Sequence, residues 1–361
     1  MQNVSVQMTR ALSRRKDIEL KTIILNSSWR MIGINTAFFL FSLLWRVPLS
    51  ERRFKPDIIL FSSMVTTVIL PLIASRLSTP CVTINHGHDV TMSFPPYQWY
   101  LKFVFKKLSG VISVSSATRE ASIGRGLNPA KGVALPNGFD HDENSAIPGK
   151  ESAREILGEI INRDLKGEKI LLTVGRQVKR KGHQWFIESV LGKIKSDFLY
   201  LIVGDGPENR AIHRARENSD SKDRIVITGK LPRELLNTCY SASDLFIMPN
   251  IPVKGDMEGF GIVLLEANRA GVPALASDLE GIRDVIKDGV NGYRIPEGSS
   301  EEFANKIDEL LTGNLADLSE SAKLYVTQTF NWDAVVGKYV SYLRRVNDQQ
   351  GANVSDLNET K

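Results

Sequence analysis

The chain has 361 residues, 42% apolar and 24% charged, with a formal charge of +5 and a pI near 9.0. That length and apolar content can fill about two cores, which excludes a fibrous or disordered chain and reads as soluble and globular. So mild a basicity favours anionic ligands or surfaces and identifies none, nucleic acid being one candidate among several.

No charged, apolar and small-residue succession marks a signal peptide, and export is not expected. Val4, Met8, Ala11 and Leu12 keep helical spacing and lead into a strand expected over 21–25. The most apolar stretch, Ile34 to Trp45, contains Asn35 and Ser42 and stops at Arg46, short of the roughly 20 residues a spanning helix needs. It is expected as a buried or interfacial helix. Further strands are expected over 57–61, 81–85, 111–115 and 132–135, each short, rich in Val or Ile and separated by room for a crossover helix. After Asp140 the composition turns polar for about ten residues, an expected linker, and the βα rhythm resumes with strands over 169–174, 198–203, 224–227, 244–248 and 273–276. Helices are expected over 300–312 and 316–329. Trp332 to Arg345 reads as an amphipathic helix with Val335, Val336, Tyr339, Val340 and Leu343 on its apolar side. From Asn347 the chain is polar and aperiodic, and disorder is expected over 347–361.

Two alternating series imply two doubly wound parallel-sheet α/β domains, over 1–140 and 141–330, with an active site in a cleft at the carboxyl ends of their strands. Cys81 and Cys239 lie far apart without CxxC or zinc spacing, and are expected as buried thiols of a cytoplasmic protein.

The strongest chemical signal is Glu258-Gly259-Phe260-Gly261-Ile262-Val-Leu-Leu-Glu266, two carboxylates flanking a glycine turn that opens a helix. They can grip sugar hydroxyls, while the first free N–H groups of the helix, near Phe260, Gly261 and Ile262, suit a diphosphate or sugar. The plainer reading is a helix with one acid near its start and another on its surface. In Thr173-Val-Gly-Arg176-Gln-Val-Lys-Arg-Lys181-Gly182 a strand ends in a basic loop, from which Arg176 and Lys181 can both reach one diphosphate. Lys179 and Arg180 read as solvated. Gly204-Asp-Gly-Pro207 is a glycine turn of the kind that brings backbone near a nucleotide, though it also makes a good plain turn. Thr83-Ile-Asn-His86-Gly-His88-Asp89 places two histidines at a strand's carboxyl end, on opposite sides of the extended chain. No third ligand cluster accompanies them, and no metal is expected.

Together, Gly175-Arg176 with Lys181, the Gly204 turn, Glu258 with Glu266, and Pro136-Asn-Gly-Phe-Asp140 closely resemble the family 4 glycosyltransferases over nearly the whole chain. His-Gly-His before an acid, and Asp256 just ahead of Glu258, look closest to the bacterial GDP-mannose-dependent mannosyltransferases of phosphatidylinositol mannosides. The resemblance implies the GT-B fold, two Rossmann-like domains facing across a cleft, and transfer with retention of anomeric configuration. It implies an acceptor-binding domain over 1–140, a nucleotide-sugar-binding domain over 141–330, and a helix over 331–346 packing back toward the first. Carried over by position, Arg176 and Lys181 bind the donor diphosphate, Glu266 the ribose and Glu258 the hexose, with Gly204, Gly259, Phe260, Gly261 and Ile262 beside them. Lys230 and Leu231 fall where the base is expected, and His86 lines the junction of donor and acceptor. No cofactor or metal is required beyond a UDP- or GDP-hexose, and Glu258 is a binder, not a general base. Expected partners are that nucleotide sugar, a glycan or lipid-linked acceptor and the anionic inner face of a membrane, with no nucleic acid. Family members normally begin with a strand and a glycine-rich loop; here the chain opens in what looks like the helix after them, so the first strand of the sheet is expected to be missing. A catalytically inactive nucleotide-sugar-binding protein, and a GT-B epimerase or phosphorylase, are the competing readings.

Overall fold

The computed structural model describes residues 2–25, 32–140 and 148–359, so the expected linker falls largely outside the described residues. The chain divides into two compact units, Met1–Phe139 with Trp332–Lys361, and Asp140–Asn331.

In the first unit α1 (Gln2–Ser13) buries Val4, Met8, Ala11 and Leu12, the residues that carry its helical spacing. Then follow α2 (Ile32–Phe54), β1 (Ile59–Phe61), α3 (Leu70–Ile73), β2 (Cys81–Asn85), α4 (His88–Thr91), α5 (Pro95–Lys107), β3 (Gly110–Ser113), α6 (Ser116–Ile123) and β4 (Gly132–Ala134). The strands pair in parallel in the order β1-β2-β3-β4. Each residue of β2 and β3 is buried, as fits parallel strands covered on both faces. Residues 21–25, expected as a strand, form none. Ile24 and Leu25 instead line a shallow hollow on α2 with Asn35, Phe38, Phe39, Ser42 and Arg46. An apolar run of strand composition becomes a strand only by pairing, and this one finds no ladder partner among the described residues.

The second unit comprises α7 (Lys150–Ile161), β5 (Ile170–Val174), α8 (His183–Ser189), β6 (Leu199–Val203), α9 (Asn209–Glu217), β7 (Ile225–Gly229), α10 (Arg233–Ala242), β8 (Leu245–Met248), α11 (Ile262–Arg269), β9 (Ala274–Ser277), β10 (Gly292–Ile295), α12 (Ser300–Thr312) and α13 (Ala316–Thr329). Its parallel sheet runs β10-β9-β8-β5-β6-β7. The first strand, β5, is central, pairing with β6 on one side and β8 on the other. Winding therefore reverses between β5 and β8, and the space beyond their carboxyl ends is where doubly wound sheets take ligands. β10 was not expected; it is four residues long and lies at the edge of the sheet, paired with β9.

The last helix, α14 (Trp332–Glu359), belongs to the first unit. It buries Trp332, Val335, Val336, Tyr339 and Val340, and the Tyr342 hydroxyl accepts the Val111 N–H at 3.1 Å while donating to Lys131 C=O. α14 runs on to Glu359, across residues for which disorder is expected from Asn347. Once a helix is nucleated, each added residue gains a backbone bond without needing an apolar side chain.

Candidate functional site

Beyond β5 the chain turns at Gly175, Arg176 and Gln177, and this turn is held by its neighbour. Gln177 is fully buried; its N–H donates to Asp205 C=O at 3.0 Å, its side-chain amide donates to Gly204 C=O at 2.9 Å, and Asn209 donates to its Oε1 at 2.9 Å. Gly204 sits at φ +136, and a Cβ there would stand 1.9 Å from Gly175 O. The glycine turn thus brings backbone close to the Arg176 turn itself. Arg176 is exposed and makes no side-chain hydrogen bond or ion pair among the described residues.

A short 3-10 turn, Lys179–Lys181, follows, and the loop after β8 is tied to it by Ile251 N–H donating to Arg180 C=O at 2.9 Å. That bond draws the basic turn under the acidic segment Asp256–Glu258. Lys181 is buried, with Nζ 2.6 Å from Glu258 Oε2, and Asn250 donates to the same oxygen at 3.2 Å. Arg180 lies 3.6 Å from that carboxylate and 3.4 Å from Asp256, with 21% of its side chain exposed. The expectation of a solvated Arg180 is therefore corrected; Lys179 is exposed. Burial works to raise the Glu258 pKa, but the Lys181 and Arg180 charges, with hydrogen bonds from Lys181 and Asn250, hold it below the usual carboxylate range. A buried charge persists only when paired in this way.

Glu266 occupies a different setting. From α11 it accepts Arg233 Nη1 at 3.0 Å and the Tyr240 hydroxyl at 2.9 Å, and it is half-buried. The two glutamates of the motif are thus engaged by separate partners. Between them Phe260 is buried edge-on against Phe330, ring centroids 5.9 Å apart, and Gly261 is the last residue before Ile262 opens α11. Lys230 is exposed and Leu231 half-buried just after β7, whose Gly229 C=O accepts the Gly204 N–H at 2.8 Å.

In the first unit His86 follows β2 and is half-buried, one ring nitrogen 2.9 Å from Ser62 C=O. Buried Asp89 accepts the backbone N–H of His86 at 2.7 Å and of Met64 at 3.3 Å. Burial lowers the His86 pKa, with Asp89 pulling the other way, and burial raises that of Asp89. His88 is exposed at the start of α4. Among the described residues no three His, Cys, Asp or Glu side chains gather as a metal site would need. Sequence reading missed Gln177, Asn250, Arg233, Tyr240 and Glu280. The only signal was two consecutive cations, Arg180 and Lys181, facing two acids, Asp256 and Glu258, that also lie close together.

Known proteins give the same class. Residues 159–327 match the model of the glycosyl transferases group 1 and residues 5–143 that of glycosyltransferase family 4. The chain is a glycosyltransferase and belongs to this family. The GDP-mannose-dependent alpha-(1-6)-phosphatidylinositol monomannoside mannosyltransferase of Mycobacterium tuberculosis is 27% identical over 271 residues, covering 72% of this chain and 68% of that protein. Alpha-D-kanosaminyltransferase of Streptomyces kanamyceticus is 26% identical over 67% of this chain and 64% of its own length. Sucrose-phosphate synthase from Thermosynechococcus elongatus superposes with a TM-score of 0.74 at 20% identity, covering 96% of this chain and 93% of that one. Anabaena HepE, solved with UDP and glucose, gives 0.66 at 20% identity over 91% and 83%. The fold is GT-B.

Proposed function

We propose that the protein transfers a hexose from a UDP- or GDP-sugar to a glycan or lipid-linked acceptor, with retention of configuration. The observation that carries this is the buried Lys181–Glu258 pair beside exposed Arg176 at the switch point of the second sheet. In this reading Arg176 and Lys181 take the donor diphosphate, the guanidinium as a fork and the ammonium as a point charge, and supply the charge neutralisation the leaving group needs. Glu258 and the Phe260–Ile262 N–H groups hold the hexose, Glu266 the ribose, and Lys230 and Leu231 border the base, while Gly204 braces the Arg176 turn. His86 lines the acceptor side.

The bond from the anomeric carbon to the phosphate oxygen breaks, the acceptor oxygen bonds to that carbon on the same face, and its proton passes to the departing phosphate. A carboxyl kept ionised by Lys181 and Arg180 has no proton to give at neutral pH and serves to bind hydroxyls. The GDP-mannose dependence of the mannosyltransferase relative, and the UDP of the HepE structure, support a nucleotide-sugar donor.

The acceptor reading extends to a bilayer. On α2 the exposed side chains of Ile34, Phe38, Phe41, Trp45 and Leu49 recur at helical spacing, and exposed Arg52 continues the stripe. On α5, exposed Trp99 and Phe103 stand beside Lys102 and Lys106. We infer that these faces lie on the anionic inner surface of a membrane, where a cytoplasmic enzyme meets a lipid-linked acceptor.

The donor assignment is tested by calorimetry with UDP-glucose and GDP-mannose. Arg176→Ala perturbs no side-chain partner among the described residues and is expected to weaken donor binding roughly ten- to a hundredfold, the loss of one charge-assisted contact. Lys181→Ala is expected to do the same and to lower the melting temperature, since it leaves Glu258 buried and short of a cation. Undiminished binding by the double variant sinks the assignment.

A further inference from the structure

The turn after β9 acts on the same loop from the opposite side. Glu280 stands at φ +47, in the left-handed region where a Cβ crowds the backbone and glutamate is uncommon. Such a conformation persists where the surroundings over-determine it. Here the Glu280 carboxylate crosses to Glu258 and accepts its backbone N–H through Oε2. The next residue returns the contact, Gly281 N–H donating to Glu258 C=O at 3.1 Å. Nothing larger fits there, because a Cβ on Gly281 would lie 2.2 Å from Gly259 O. One two-residue turn thus holds both the N–H and the C=O of residue 258.

The arrangement carries an electrostatic cost. Burial, and secondarily the Glu258 charge, raise the Glu280 pKa against the hydrogen bond from Glu258 N–H. An uncharged side chain would avoid the repulsion between the two carboxylates, and a glycine would avoid the backbone strain. Neither would offer the Glu258 N–H a charged acceptor, the stronger kind.

We propose that Glu280 is a positioning residue: by clamping the backbone of residue 258 it fixes the Glu258 carboxylate and the Glu258–Ile262 turn in register with the donor's hexose, so it sets affinity for the sugar half of the donor and not for the nucleotide half. This rests on the reading that Glu258 contacts the hexose. The diphosphate contacts, Arg176 and Lys181, hang from a different turn; Lys181 meets the clamped segment only through the Glu258 carboxylate, and its own backbone is held by the Lys179–Lys181 turn.

The test uses the full chain, titrated with UDP, GDP, UDP-glucose and GDP-mannose, with hydrogen exchange read over residues 258–262. Glu280→Gly is expected to weaken the nucleotide sugar about tenfold, equivalent to about 1.4 kcal/mol, to leave the matching nucleoside diphosphate unchanged, and to speed exchange at the Glu258 amide. Glu280→Gln keeps an acceptor oxygen and is expected to restore most of the affinity. Unchanged sugar binding, or an equal loss for sugar nucleotide and nucleotide, overturns the proposal. If the unmodified protein binds no donor, the donor-site reading fails by itself; the clamp is then decided by exchange, lost protection in Glu280→Gly upholding it and unchanged protection overturning it.

Discussion

His183 follows the basic turn after one glycine, Gly182, and is 2% exposed, and neither ring nitrogen has a hydrogen-bond partner among the described residues. Burial, helped by the Lys181 ammonium, pulls its pKa down to about 3. An unfolded histidine titrates near pH 6.5, so between these values the unfolded chain binds a proton that the folded protein refuses. Stability therefore rises with pH across that window and is lost on acidification, by about 2 kcal/mol between pH 7.5 and 5. Glu258 contributes in the same sense at lower pH, its stability present above the ordinary carboxylate pKa and lost as pH falls toward its depressed value. Urea midpoints at pH 7.5 and 5 separate the two: His183→Leu is expected to remove about 2 kcal/mol of the pH dependence in this range, leaving the share of His86, whose pKa burial also lowers, and an unaltered dependence refutes the assignment. At this scale residue type and spacing were legible, as Glu258, Glu266, Arg176 and Lys181 show. Pairing was not. Lys181 meets Glu258, and Glu280 meets the Glu258 backbone, only because loops after different strands converge at one end of the sheet, and no local pattern encodes that convergence.

Elements whose side chains alternate or repeat against a packed face were readable, and those defined by a neighbour were not. β5, β6, β8 and β9 are buried at every position and announce themselves as apolar runs. β10 has half-buried Tyr293 and Arg294 at its centre and exists as a strand through its ladder with β9. Residues 21–25 are the converse, strand-like in composition and without a partner among the described residues. α2 mixes the cases: Leu43 and Val47 enter the core, while Phe38, Phe41 and Trp45 stay outside. No helix among the described residues is long and apolar enough to cross a membrane; in the proposed membrane reading the outer stripe lies on the bilayer surface. Phe41 and Trp45 pack edge to face, centroids 5.0 Å apart, at its centre. Replacing both with Ser is expected to leave the fold intact and to cut co-sedimentation with phosphatidylglycerol-containing vesicles at least tenfold, since inserting each aromatic contributes about 1.5–3 kcal/mol. Equal sedimentation of the unmodified protein on neutral and anionic vesicles argues against the basic residues having this role.

At the scale of the whole molecule the chain leaves the first unit at Phe139, builds the second, and re-enters the first at Trp332. The re-entry is structural. Trp332 N–H donates to Phe139 C=O at 3.2 Å, its indole N–H donates to Gln7 at 3.2 Å, and the Tyr339 hydroxyl donates to Pro136 C=O at 3.2 Å. Together with the Tyr342 hydroxyl bridging Val111 and Lys131, these bonds hold β3, the β4 edge and α1 through one helix. Losing a buried Trp or Tyr typically costs about 3–5 kcal/mol, and ending the chain at Asn331 removes three such rings at once. That loss is comparable to the whole stability of a typical domain, about 5–15 kcal/mol. The second unit keeps its six-stranded sheet, and the core cluster built on it from Leu171, Phe186, Tyr200, Leu245, Leu275, Phe303 and their neighbours contains no residue of α14. Hydrogen exchange on the chain ending at Asn331 is therefore expected to show protection collapsing over β2, β3 and β4 and persisting over β5, β6 and β8, with nucleotide binding retained. Uniform loss in both units would mean that they fold as one cooperative body; full protection in the first would mean that α14 is dispensable.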